Sequence, residues 1–201
     1  PGGKTGVVSP NPIAAGIPTQ GEPILIDVST SITTNGMTQR LQAEGKRFPG
    51  EWLVDADGQI TDDPNVMSAQ PKGALLPLGG LQSGHKGYAL SLLVEALTNG
   101  LAGHGRAKPR EGWGGTAFIE VLDPDAFGGG TEFLRETTHL AELCRASAPR
   151  DSAQPVRMPG EAAAQRKARQ LRAGVTLYPT ILGAIRPWAE KFKVELPQPL
   201  P

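Results

Sequence analysis

Gly84-His85-Lys86-Gly87 combines two glycines, which let a ligand approach the backbone, with a cation and an imidazole. The apolar spacing that follows predicts a helix starting at this point. Unpaired amides and the helix dipole attract an anion there. Lys86 adds a point charge that can meet a phosphate or a carboxylate. A capped helix start with a solvated lysine is the plainer alternative. A second cluster is Asp27-Val28-Ser29-Thr30-Ser31, at the carboxyl end of the apolar run Ile24 to Val28. That run reads as a buried strand, and ligands of α/β proteins bind beyond such strand ends. Three hydroxyls there can bond a ribose or a phosphate, or equally close a turn or cap a helix. The turn Met158-Pro159-Gly160-Glu161 is a third candidate, a ligand-facing loop ahead of a charged helix.

Other chemistries find no support. Gly112, Gly114 and Ala117 match GxGxxA by spacing, but no strand precedes them and a strand is expected to follow. A pyrophosphate site of that type needs a helix N-terminus instead. There is no P-loop and no Gly-x-Ser-x-Gly elbow. His85, His104 and His139 pair with no other ligand at metal spacing, so no metal site is expected. The single cysteine, Cys144, cannot form an intrachain disulfide and is expected to be a small buried residue.

These candidates need elements to hold them. Residues 1–22 are rich in proline and glycine and read as an extended or looping segment. A strand over 24–28, a helix over 36–45 and a strand at 52–54 entering the Asp55-Ala56-Asp57-Gly58 turn come next. Residues 61–83 read mostly as loop. Leu90, Leu93, Val94, Leu97 and Leu101 predict a helix over 84–102, and Leu92 and Ala96 widen its stripe, so it should be largely buried against a sheet. A strand over 117–122 and helices over 131–147, 161–173 and 179–193 complete the reading, with a disordered tail from Pro197 to Pro201. Strands and helices mix without a βαβ rhythm, which predicts a mixed α/β (α+β) fold. A cofactor-binding domain over 1–150 and a carboxyl-terminal segment over 151–201 that packs back on it are expected.

Composition sets the outer limits. The 201 residues carry 20 Lys+Arg against 20 Asp+Glu. Such balance argues against broad binding to nucleic acid or to an anionic membrane. Glycine and proline number 26 and 19, short of the roughly 25–30% that marks low-complexity chains. Mean hydropathy is −0.25, and no apolar run reaches the roughly 18 residues of a spanning helix. A cytoplasmic setting is expected.

Five segments occur in order: Asn11-Pro12-Ile13-Ala14, Ile26-Asp27-Val28-Ser29-Thr30-Ser31, Leu76-Pro77-Leu78-Gly79-Gly80, Gly84-His85-Lys86-Gly87-Tyr88-Ala89-Leu90 and Arg157-Met158-Pro159-Gly160-Glu161. Together they resemble the malate/L-lactate dehydrogenase family, whose NAD(P)-binding sheet, flanked by helices, is not a Rossmann fold. The resemblance implies an oxidoreductase that exchanges hydride between NAD or NADP and a small 2-hydroxy or 2-oxo acid, usually as a homodimer. It puts Asp27, Ser29, Thr30, Ser31, His85, Lys86, Gly160 and Glu161 at the cofactor, and Asn11 and Pro12 close to the substrate. The family's catalytic histidine and a neighbouring arginine lie in an amino-terminal segment upstream of Asn-Pro-Ile-Ala. Nothing in the first ten residues matches them, so no catalytic residue is assigned and that segment is expected to be missing. Two outcomes follow: a dehydrogenase represented without that segment, or an inactive remnant that retains only cofactor or partner binding. Apolar surface left bare is expected to drive dimerisation or aggregation.

Overall fold

Thr19 closes the first connection of the chain. Its hydroxyl accepts the Gly21 N–H at 3.0 Å and donates to the Glu22 carbonyl at 2.9 Å. The flanking segments become β1 (Pro12–Ile17) and β2 (Ile24–Ser29). They pair antiparallel, with Pro12 opposite Ser29 and Ile17 opposite Ile24. β1 makes a paired strand of part of the extended or looping segment expected over residues 1–22. Its only proline, Pro12, is the first residue of the strand, a position that tolerates the lost N–H.

The computed structural model describes residues 2–107, 111, 112 and 114–198. They form two compact units, Pro1–His139 and Leu140–Pro201.

In the first unit, Thr34 starts α1 (Asn35–Ala43) by accepting the Met37 N–H on its hydroxyl at 3.1 Å. β3 (Leu53–Val54) lies between β4 (Ile60–Thr61) and β5 (Ala74–Leu75), antiparallel to both. The expected Asp-Gly turn joins β3 to β4. Asp55 Oδ1 accepts the N–H groups of Asp57 and Gln59, and Gly58 takes φ 90°. Leu41, Phe48 and Leu53 form one core cluster. Val54, Ala74 and Leu76 form another, so the core is centred on β3.

α2 (Gly80–Glu95) begins four residues earlier than expected, after Gly79 at φ 96°. At its far end it loosens into one π turn, Ala96–Gly100. The expected burial of its leucine stripe is not met. Only Gly84, Gly87 and Ser91 are buried, whereas Leu92 and Leu93 are 46% and 53% exposed. Residues 117–122, expected as a strand, form none among the described residues, and Val121 is 89% exposed. Their β-branched and aromatic side chains favour an extended backbone, yet a strand also needs a neighbour.

α3 (Gly130–Ala146) starts where the Gly130 N–H donates to Asp125 Oδ1 at 2.6 Å. Thr137 donates to the Pro18 carbonyl and Thr138 accepts the Gln20 N–H, tying α3 to the turn between β1 and β2. The second unit contains the end of α3 with α4 (Glu161–Ala173) and α5 (Pro179–Phe192). On α5, Trp188 stacks on Phe192 with ring centroids 6.3 Å apart, and Lys191 lies over both rings. Residues 199–201 of the expected tail lie outside the described residues. Helices and antiparallel strands thus make a mixed α and β protein, as the sequence predicts.

Candidate functional site

Four of the predicted segments meet around two backbone units. The Thr30 N–H donates to the Asn11 carbonyl at 3.2 Å, and the Thr30 carbonyl accepts the Leu78 N–H at 2.9 Å. The Leu78 carbonyl in turn accepts the Gly87 N–H at 3.2 Å. The Ile32 N–H donates to the Leu76 carbonyl at 3.0 Å, and Ser31 bridges Pro77. Asn11, the end of β2 and the second turn of α2 are therefore stitched together although the sequence separates them widely.

Glycine makes the last of these contacts feasible. A Cβ on Gly87 would stand 2.4 Å from the Leu78 nitrogen, and one on Gly84 would rest against Pro77. His85 and Lys86, between these buried glycines, are exposed. Because α2 starts at Gly80, they lie a turn and more inside the helix and not at its unpaired amides. The dipole argument for an anion at Lys86 therefore weakens. Among the described residues neither side chain has a hydrogen bond or ion pair, so the charge of Lys86 is open to a ligand.

The hydroxyl cluster has a definite direction. Ser31 Oγ donates to the Thr33 carbonyl, which uses its one hydrogen. Ser29 must then be the donor in its 2.7 Å bond with Ser31, and it also accepts the Ser31 N–H at 3.2 Å. Both hydrogens are committed inside the protein, and only lone pairs remain for a ligand. In this arrangement the serines offer lone pairs to a donor such as a hydroxyl. Thr30 is 4% exposed, so a ligand would meet its surroundings and not its hydroxyl. Asp27 is exposed on β2 opposite Ala14.

Asn11 has neighbours that the motifs did not reveal. Its Nδ2 donates to Glu95 Oε1 at 2.9 Å, and its Oδ1 accepts from Ser9 Oγ at 2.7 Å. Glu95 also accepts from Asn99 Nδ2 at 2.8 Å and pairs with Arg106 at 2.7 Å. Thr116 donates to Asn99 Oδ1 at 2.5 Å. The Glu95 side chain is 14% exposed. Burial pushes its carboxyl up, but hydrogen bonds from Arg106, Asn11 and Asn99, with the Arg106 charge, outweigh this and hold it at about 2. The only sequence hint was the i,i+4 spacing of Glu95 and Asn99 on a helix face. Pro12 is exposed at the start of β1.

In the second unit, Gly160 takes φ 96° ahead of α4. Glu161 is already engaged within its own unit. Its Oε1 accepts from Arg145 at 2.7 and 2.6 Å, and its Oε2 accepts the Met158 N–H at 3.1 Å. The bond from Arg145, the Met158 N–H and the nearby cations lower its carboxyl below the usual range. The described residues contain no cluster of three or more metal-ligating side chains.

The chain is thus a mixed α and β protein with an exposed lysine between two buried glycines and, on a segment bonded to theirs through Leu78, a serine pair with lone pairs to spare. Comparison with known proteins gives this class a family. The malate/L-lactate dehydrogenase family model matches residues 1–186, and the chain belongs to that family. It is 31% identical over 202 residues to malate dehydrogenase of Pyrococcus horikoshii, covering 96% of this chain and 56% of that protein. It is 34% identical over 188 residues to the Δ1-pyrroline-2-carboxylate/Δ1-piperideine-2-carboxylate reductase of Pseudomonas syringae pv. tomato, covering 88% of this chain and 50% of the reductase. The crystal structure of a dehydrogenase from Sinorhizobium meliloti superposes with a TM-score of 0.73 at 32% identity, over 92% of this chain and 53% of that one. The chain thus spans about half the length of these relatives.

Proposed function

We propose that the chain is part of a dehydrogenase that transfers hydride between NAD or NADP and a small 2-hydroxy or 2-oxo acid. Family membership carries this reading. Malate is a 2-hydroxy acid, and the cyclic substrates named for the reductase carry a C=N bond next to a carboxylate. One chemistry serves both, the reduction of an electrophilic carbon beside a carboxylate. The bound nicotinamide would supply or take up the hydride.

The chain's own residues would bind and orient. Asp27, Ser29 and Ser31 suit ribose hydroxyls, because each offers an acceptor. Thr30 would contribute through the fixed backbone around it. Lys86, with His85 beside it, suits the negative phosphates, and Gly84 and Gly87 allow α2 to sit close to the residues that precede it. Gly160 and Glu161 would contact the cofactor from the second unit by the family resemblance alone, and Asn11 with Pro12 would lie at the oxo acid. Hydride transfer would need the reacting atoms of acid and cofactor about 3–3.5 Å apart. The bare leucines of α2 favour a homodimer, which light scattering tests. A cytoplasmic setting suits a chain with one cysteine and no described helix long and apolar enough to cross a membrane.

The deciding experiment is a fluorescence titration with NADH, using the three tryptophans as donors. Saturable binding that weakens several-fold on Lys86→Ala supports the reading. Binding that ignores Lys86→Ala would remove Lys86 from the site, and no saturation into the millimolar range would refute the cofactor assignment.

A further inference from the structure

Asn11 is held at both ends of its amide, and the identity of its partners fixes which end is which. A carboxylate only accepts, so the atom facing Glu95 Oε1 at 2.9 Å must be the Nδ2 of Asn11. Ser9 then occupies one lone pair of Oδ1. One Nδ2 hydrogen and one Oδ1 lone pair remain uncommitted. Glu95 is itself locked by Asn99 and Arg106, and Asn99 is locked by Thr116, so the carboxylate has little freedom to turn. The network is built on the last residue of α2 and the π turn after it, a helix irregularity often found at functional sites.

The geometry points to Glu95 as the positioning residue of Asn11: it fixes the side-chain amide so that the second Nδ2 hydrogen is presented to an oxygen of the 2-oxo acid. This rests on the reading that Asn11 lies beside the acid. The charge arrangement is consistent with it. A lone Glu95 near an anionic acid would repel it, and Arg106, 2.7 Å from Glu95, offsets that charge. With glutamine at 95 either face of the amide could meet Asn11. The asparagine would then be free to turn its carbonyl towards the acid, where two acceptors oppose each other.

The test measures two affinities of the full chain separately: NADH by energy transfer from tryptophan, and oxalate, a planar stand-in for a 2-oxo acid, by its effect on the NADH-loaded chain. Glu95→Gln should weaken oxalate about tenfold, the effect of one charge-assisted hydrogen bond, and leave NADH within about twofold. Asn11→Ala, which leaves Glu95, Asn99 and Arg106 paired, should cost the same, and the double variant no more than either single one. Equal losses for NADH and oxalate, or additive losses in the double variant, would reduce Glu95 to a structural role and overturn the inference. A wild-type chain that takes NADH but no oxalate would overturn it from the other side, by removing the acid from Asn11. A wild-type chain that takes neither would fail the cofactor reading and this inference with it.

Discussion

Gly87 and Leu78 are in direct backbone contact: the Gly87 N–H donates to the Leu78 carbonyl at 3.2 Å, and a Cβ at Gly87 would stand 2.6 Å from that same oxygen. Gly87→Ala must push α2 away from the segment that holds Thr30. The expected loss is about 1–3 kcal/mol, as for overpacking elsewhere. A thermal melt reads it as a lower Tm, and an unchanged Tm would mean that α2 is not clamped here.

Glu95 gives the fold an acid-sensitive part. Its carboxyl sits at about 2, below the ordinary 4.5, so the folded state prefers the ionised form. Its contribution is complete above 4.5 and is lost as pH falls from there towards 2. The size is at most about 3 kcal/mol. Urea unfolding of wild type and Glu95→Gln should show a gap at neutral pH that closes across this window. A gap independent of pH would contradict the assignment.

Ile119 and Val121 are 83% and 89% exposed, so replacing either one removes little packing. Ile119→Lys should change stability by no more than about 0.5 kcal/mol and reduce self-association seen by light scattering. A loss several times larger would show that the segment is covered in solution.

Arg145 holds Glu161, and Glu161 holds the Met158 N–H. Arg145→Ala should let the Glu161 carboxyl rise towards its ordinary value and speed hydrogen exchange at the Met158 amide. Carboxyl titration by NMR and amide exchange measure the two effects. Neither moving would mean that the ion pair does not persist in solution.

Local chemistry was legible in the sequence wherever one segment decided the outcome. The hydroxyl of Thr34 lies just before α1, the Asp55–Gly58 turn follows β3, and α4 begins and ends where its pattern says. Partnership was not legible. The periodicity of Leu90 to Leu101 gives the face of a helix and says nothing of what covers that face. Phe118 to Leu122 have strand character without a strand beside them. β1 was legible only as extended or looping chain, because proline and glycine surround the short run from Pro12 to Ile17 and its pairing with β2 is not written in it. The site followed the same division. Asp27 to Ser31 and His85-Lys86 stand out by residue type, but the donor direction of the serines depends on the Thr33 carbonyl, and the carboxylate beside Asn11 arrives from 84 residues away.

The stitching of Thr30 to Leu78 and of Ile32 to Leu76 has a thermodynamic consequence. Those segments are ordered by backbone bonds before any ligand arrives, so the entropy of arranging them is spent during folding. A molecule docking against both would have little loop left to freeze. Calorimetry should then give a modest negative heat-capacity change, scaled to the surface covered, without the larger signature of folding coupled to binding.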